Sequence, residues 1–186
     1  TNNRFHFGIG VSPWYEDFLA TGERWERRGK RMDEQIDILK GLMNGEYFSF
    51  KGEFYDIPEL KLCPTPTKPV PILIGGHSKL ALKRAARVGD GWISAGLSLE
   101  ETKSLIDQIN IFRSELGTLD HPNYQFQVMG EAAYSPDGIK QLEELGATEV
   151  IVAFRNTYEG GPDERTLESM IAEINWYAEE VINKSK

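Results

Sequence analysis

The fold of this chain is decided by Pro69-Val-Pro-Ile-Leu-Ile-Gly-Gly-His-Ser-Lys-Leu-Ala-Leu-Lys-Arg-Ala-Ala86, in which a short apolar strand passes through a glycine pair into a helix. Gly75-Gly76 lets the backbone turn sharply and lie close to a ligand. The first amides of the helix after Ser78 have no intrahelical partner, so the turn carries donors suited to an anion such as phosphate. A tight turn that binds nothing fits the same residues, because a lone Gly-Gly is a looser pattern than a full dinucleotide-binding motif.

The composition indicates one globular domain, since 186 residues with 40% hydrophobic and 27% charged side chains are enough to bury a core. The net charge of −8 argues against nucleic acid as a partner, because binding a phosphate backbone requires a clustered basic face. No apolar run approaches the roughly 20 residues of a membrane span, so no membrane partner is expected.

The cysteine and histidine content limits the chemistry. Cys63 is the only cysteine, which excludes an intrachain disulfide and suits a reducing compartment. We therefore expect a cytoplasmic protein in which Cys63 is a partly buried apolar residue. His6, His77 and His121 lie too far apart in the sequence to predict a metal site, and none is expected.

The amino-terminal third predicts one strand, one helix and a hairpin. Residues 5–11 have the β-branched, apolar character of a buried strand, and a loop with Pro13 and Trp14 follows. From Arg24 to Met43 the apolar residues recur at helical spacing. Residues 46–56 then alternate polar and aromatic side chains around Lys51-Gly52, which predicts a small inserted hairpin.

The remainder predicts four more strands, each followed by a helix. The predicted strands are Ile72–Ile74, Trp92–Ala95, Tyr124–Met129 and Glu149–Phe154. The first of the helices spans Lys79–Val88, and the second begins at a capping box of Ser98 and Glu101 and carries the apolar stripe Thr102, Leu105, Ile109, Phe112 and Leu116. The third begins at Ser135-Pro136 and ends at Gly146, and the last, after a loop over residues 156–162, buries the face Leu167, Met170, Ile171, Ile174, Ala178 and Val181.

Five strand–helix units in series imply parallel strands joined by right-handed crossovers. Two α/β folds satisfy this, an open doubly wound sheet and part of a (β/α)8 barrel. A complete barrel usually needs about 250 residues. Length alone therefore favours an open, flavodoxin-like sheet.

Linked motifs favour the barrel instead. In order and spacing they resemble the luciferase-like monooxygenase superfamily, the group of bacterial luciferase and the F420-dependent oxidoreductases, most clearly from Arg4 to Trp92. The motifs are the segments Arg4–Glu16, Arg27–Glu34, Phe50–Tyr55, Pro69–Gly76 and Ala85–Trp92. The resemblance implies an α/β fold, a partial (β/α)8 TIM barrel formed by a single domain over residues 1–186. The chain would hold units four to eight, with the three N-terminal units absent.

The same resemblance implies a flavin- or deazaflavin-dependent oxidoreductase or monooxygenase acting on a small-molecule substrate, with coenzyme F420 or FMN as cofactor. Few side chains then need to be catalytic, because the cofactor ring carries the hydride or oxygen chemistry. The pattern around the glycine pair looks closer to the F420-dependent members. By resemblance, the cofactor phosphate would be held by Gly75, Gly76, His77 and Ser78, and the ring pocket lined by Val11, Ser12 and Trp14. The catalytic residues stay unknown, since the family places such groups on the absent units.

Three side chains admit two interpretations each. His77 is either a base or phosphate ligand, or an exposed loop residue whose backbone N–H matters more than its ring; we favour the second. Trp92 is either part of the core or a wall beneath cofactor or substrate. Arg155, just after the last predicted strand, either meets an anionic substrate or cofactor tail or is solvated.

Two other functions remain open from the sequence. A five-stranded part of a barrel would leave two uncovered sheet edges, which proteins normally cover. The chain would then be a non-catalytic or assembly-dependent half-barrel, covered by a second copy in a homo-oligomer, by a separate chain, or by a missing N-terminal portion. Alternatively, it binds a phosphate-bearing ligand without redox chemistry.

Overall fold

The computed structural model of the chain describes residues 2–155 and 161–185. Over these residues the chain forms seven strands and six α-helices. The strands are β1 (Phe7–Ile9), β2 (Phe48–Lys51), β3 (Asp56–Leu60), β4 (Ile72–Gly75), β5 (Gly91–Ile93), β6 (Gln125–Met129) and β7 (Glu149–Ile151). The helices are α1 (Tyr15–Thr21), α2 (Arg28–Met43), α3 (Lys79–Val88), α4 (Leu99–Leu116), α5 (Pro136–Glu144) and α6 (Leu167–Tyr177). A 3₁₀ turn at Glu131–Tyr134 precedes α5, and a π-helical turn at Ala178–Ile182 extends α6.

The main sheet is parallel, with the strands in the spatial order β1-β4-β5-β6-β7. Neighbours in space are therefore successive main-sheet strands along the chain. A doubly wound sheet reverses its strand order at a switch point, and this sheet does not. The expectation of a flavodoxin-like sheet, which rested on length alone, is wrong.

The hydrophobic core lies between one face of this sheet and helices α2 to α5. Its central members are buried side chains from these helices and from alternate positions of the strands, because successive strand side chains point to opposite faces. They are Ile36, Ile72, Ile74, Leu82, Trp92, Ile109 and Phe126, and a second cluster joins Val128 of β6 to Leu142 of α5. Helices on one face only are the arrangement of a barrel wall.

Side chains on the opposite face show that the sheet is strongly curved. His6 Nδ1 lies 3.0 Å from Gln125 Oε1, although two strands separate β1 from β6. In a flat sheet the two strands would lie about 14 Å apart at the usual spacing of about 4.8 Å per strand. Gly91 lies between them on the same face, where a Cβ would lie 2.5 Å from Leu73 Cδ2, so the side chains of this face are crowded together. The curvature and strand order confirm the predicted partial (β/α)8 barrel.

Several predicted elements are confirmed in detail. Helix α3 has the predicted bounds, Ser98 and Glu101 form the capping box of α4, and Pro136 occupies the first turn of α5. Strands β2 and β3 pair antiparallel, which confirms the hairpin. The chain reverses over Gly52 to Tyr55, slightly after the predicted turn at Lys51-Gly52.

Other predicted boundaries are wrong. The helix predicted from Arg24 is α2 and begins at Arg28, and α1 was not predicted at all. Helix α1 buries no residue and has no side-chain cap, so it lacks the periodic and capping signals from which helices are predicted. Strands β5 and β7 end at Ile93 and Ile151, short of the predicted Ala95 and Phe154.

Two burial predictions also fail. Cys63 is exposed rather than partly buried, because it lies in the extended, proline-rich segment before β4. Of the face predicted to be buried in the last helix, Val181 is 1% exposed as expected, but Leu167 and Ile174 of α6 are 72% and 55% exposed. Leu116, at the end of the α4 stripe, is likewise 48% exposed. In the described residues no helix combines the length and apolar character required to cross a bilayer.

Candidate functional site

The carboxyl ends of β1, β4 and β5 form the edge on which most of the predicted site residues lie. Parallel-barrel proteins place their ligands at this edge, on the loops that follow the strands. The turn from Gly76 to Ser78 joins β4 to α3 there, and all three residues of the turn are exposed. Among residues 2–155 and 161–185 no side chain covers the turn, so its backbone is accessible to a ligand there.

Glycine is required at the second position of the pair, whereas the first has room for a Cβ at ordinary contact distances. Gly76 has φ +114°, a conformation that L side chains rarely adopt, and a Cβ there would lie 3.0 Å from Ala81 Cβ. Gly75 packs against the end of β1, where an added Cβ would lie 3.4 Å from Ile9 O and 3.7 Å from Gly10 Cα. The turn is consequently narrow and close to β1.

The turn presents several hydrogen-bond donors to solvent. Ser78 caps α3, its Oγ accepting from Ala81 N at 3.2 Å, which leaves the hydroxyl hydrogen available for a ligand. Within residues 2–155 and 161–185, no acceptor is bonded to the amides of His77, Lys79 or Leu80. Together with the helix dipole, these donors can hold a phosphate group.

The His77 ring is engaged by the backbone. Its Nε2 lies 3.3 Å from Ala95 N and accepts from that amide, and its ring centroid is 6.1 Å from that of Trp92. The contact ties the β4–α3 turn to the segment after β5. Since Nε2 is occupied by an amide, the side chain acts here as a structural acceptor.

Trp92 lies behind the turn and not beside an open pocket. Its side chain is 0% exposed within the helix-facing core, and its Nε1 donates to Gly76 O at 3.0 Å. A buried indole N–H usually requires such a partner. Trp92 therefore joins the core to the site.

Val11, Ser12 and Trp14 follow β1 at the same edge. Ser12 Oγ donates to Asp17 Oδ2 at 2.5 Å and accepts from Trp14 N at 3.1 Å. Val11 and Ser12 line a cavity of about 270 Å³ between this segment and helices α1 and α2, while Trp14 is 46% exposed. Sequence reasoning missed Asp17, because α1 was not predicted and nothing in the sequence pairs it with Ser12.

Arg155 lies apart from the turn, in the loop after β7. Arg155 Nη1 lies 3.5 Å from Asp163 Oδ2, and its Nη2 donates to Gly161 O at 2.7 Å. Arg165 also binds Asp163 and, at 2.8 Å, Glu173. The hydrogen bonds from Arg165 lower the pKa of Asp163 to about 2. The charge of Arg155 is therefore partly compensated within its own loop; most of the predicted loop, residues 156–160, lies outside the described residues.

Known proteins resemble this chain in sequence or in fold. A Mycobacterium tuberculosis protein of uncharacterized function is 45% identical over 182 residues, which is 98% of this chain and 62% of that protein. The FMNH2-dependent dimethylsulfone monooxygenase of Pseudomonas fluorescens is 37% identical over 113 residues, covering 59% of this chain and 31% of the enzyme. The solved structure of the coenzyme F420-dependent tetrahydromethanopterin reductase of Methanopyrus kandleri superposes with a TM-score of 0.72 at 13% identity, covering 97% of this chain and 74% of that one.

The chain thus spans less than two thirds of the length of the mycobacterial relative. Other curated relatives include F420-dependent dehydrogenases, so both cofactors occur among similar proteins. The family model described as luciferase-like monooxygenase matches residues 1–129. Taken with the one-sided barrel wall and the glycine turn at its carboxyl edge, this match shows that the chain belongs to the luciferase-like monooxygenase family.

Proposed function

We propose that this protein is a flavin- or deazaflavin-dependent oxidoreductase, using F420 or FMN, and that the β4–α3 turn binds the cofactor phosphate. The observation that carries the proposal is the open turn itself. Gly76 adopts the positive φ that the tight turn requires, and the amides of His77, Lys79 and Leu80 donate to no acceptor within the described residues. Family membership supplies the reason to expect a redox cofactor there.

Residues of this chain would then bind and orient the cofactor. The cofactor ring, when bound, supplies the hydride or oxygen chemistry. Backbone amides and the Ser78 hydroxyl hold the phosphate, while Val11, Ser12 and Trp14 border the ring at the end of β1. The hydrogen bond that Ser12 Oγ donates to Asp17 orients the Ser12 hydroxyl. The same oxygen accepts a hydrogen bond from the Trp14 amide. We place the protein in the cytoplasm, where reduced forms of these cofactors are available.

A complete site requires more polypeptide than these five units. Strands β1 and β7 are the outer strands of the sheet, and Leu167, Ile171 and Ile174 of α6 are exposed. We propose that three further strand–helix units close the barrel between β7 and β1. They come either from a longer form of the same polypeptide or from a second subunit, and uncovered strand edges favour such pairing.

Absorbance and fluorescence titration with FMN and with F420 test this function. The 186-residue chain and a form extended by any in-frame upstream coding sequence are compared. We expect the extended form to bind one of the two cofactors and Gly76→Asp to weaken binding at least about a hundredfold, because the carboxylate would lie against the phosphate. Gly161→Asp is the matched control, since Gly161 has a similar φ of +116° but open surroundings.

The outcomes separate the alternatives. Failure of both forms to bind either cofactor would contradict the proposal. Binding of inorganic phosphate that depends on Gly76, without any cofactor spectrum, would instead support a phosphate-binding protein without redox activity.

A further inference from the structure

We infer that Trp92 is a positioning residue for the cofactor phosphate: its buried indole N–H fixes the Gly76 carbonyl and thereby aims the following amide at the ligand. The inference rests on the proposed function, because it concerns the same turn. Trp92 itself would not touch the cofactor.

The geometry follows from one hydrogen bond and from peptide planarity. Trp92 is 0% exposed and its Nε1 lies 3.0 Å from Gly76 O. The only cis peptide bond among the described residues is Cys63–Pro64, so the peptide joining Gly76 to His77 is trans. In a planar trans peptide the C=O and the N–H point in opposite directions. Because the Gly76 carbonyl points to the core, the His77 N–H points away from it, toward the exposed side of the turn.

A second bond from the same neighbouring segment supports this arrangement. Ala95 N donates to His77 Nε2 at 3.3 Å, so Nε2 carries no hydrogen and a neutral ring keeps its hydrogen on Nδ1. His77 is exposed, whereas Trp92 is buried. Strand β5 and the residues after it therefore hold the turn at two successive positions, Gly76 and His77.

Such restraint matters most at glycine. Gly76 has no Cβ and a φ of +114°, so its backbone has more accessible conformations than any other residue type would have there. Without an external bond the peptide after Gly76 would sample orientations in which its N–H does not face the ligand. Fixing it in advance removes that ordering cost from binding.

The test is Trp92→Phe, which removes the N–H donor and keeps an aromatic ring in the core. Dissociation constants are measured for FMN and riboflavin, or for F420 and its phosphate-free deazaflavin chromophore, whichever ring the unsubstituted protein binds. We expect the phosphate-bearing ligand to bind about tenfold more weakly and the phosphate-free ligand to change less than about twofold. Trp176→Phe, at a 49% exposed position on α6, is the matched control and should change neither.

Equal weakening of both ligands, or of neither, would overturn the inference. If Trp92→Phe does not fold, 3-benzothienylalanine is placed at position 92 instead, because it keeps the bicyclic shape of the side chain and lacks the N–H. It should weaken only the phosphate-bearing ligand, by about tenfold. An unsubstituted protein that binds neither ring overturns the proposed function and this inference with it. If the unsubstituted protein binds both ligands and the variants weaken the two dissociation constants equally or not at all, only the inference is overturned.

Discussion

Helices α3 and α6 both carry apolar stripes of helical period, but the stripe of α3 is buried and that of α6 is largely exposed. Leu82 and Ala85 of α3 are 0% exposed, whereas Leu167 and Ile174 of α6 are 72% and 55% exposed. Helix α3 packs beside α4 and over β4 and β5, while α6 follows the last strand of the sheet. The difference shows that a stripe predicts a helix and the face it will bury, but that burial also needs the neighbouring element to be present.

The largest effect should come from truncating one apolar side chain to alanine in each of the two helices. Leu82→Ala should cost about 2–5 kcal/mol of unfolding free energy, since it leaves a cavity in a closed core. Ile174→Ala should stay within about 0.5 kcal/mol, because its side chain is already half solvated in this chain. Urea denaturation of the 186-residue chain measures both.

An equal decrease in the unfolding free energy of the two variants would show that the apolar face of α6 is buried in solution, for instance by self-association. In a form of the protein that carries the proposed barrel-completing units, the cost of Ile174→Ala should rise toward that of Leu82→Ala.

An intermediate effect should come from the concave face of the sheet. A Cβ on Gly91 would lie 2.5 Å from both Gln125 O and Leu73 Cδ2, so Gly91→Ala should cost about 1–3 kcal/mol through overpacking. Gly8→Ala is the matched control on the same face of edge strand β1, where a Cβ would meet only Ile93 Cδ1 at 3.8 Å. Thermal unfolding should separate the two, and a neutral Gly91→Ala would contradict the curvature described above.

The smallest effect should be a pH dependence confined to the loop before α6. The pKa of Asp163 is lowered to about 2 by Arg165, below its ordinary value. The ion pair therefore stabilises the folded state at pH values above the ordinary aspartate pKa. This contribution is lost as the pH falls toward 2. Following the Asp163 carboxylate by NMR should give a midpoint near 2, returning toward about 3.9 in Arg165→Gln. An unchanged midpoint in Arg165→Gln would assign the shift to other groups.

The elements that could be predicted from the sequence are those encoded by residues close together in the chain. Helix α3, the Ser98 capping box and the Pro136 start were predictable because each is encoded in residues a few positions apart. Helix α1 has neither a buried face nor a side-chain cap, and it was missed. The glycine turn of the site was predictable for the same local reason, whereas the Asp17 contact to Ser12 was not.

By itself the sequence determined the alternation of strands and helices, the position of the Gly75-Gly76 turn and the resemblance to a luciferase-like barrel, because these depend on period, glycine and motif spacing. Only the tertiary structure decided that the sheet winds in one direction and curls, that Trp92 bonds the turn from the core, and that the α6 face is uncovered. Each of these depends on residues distant in the chain meeting in space, as His6 and Gln125 do, and no local pattern encodes such a meeting.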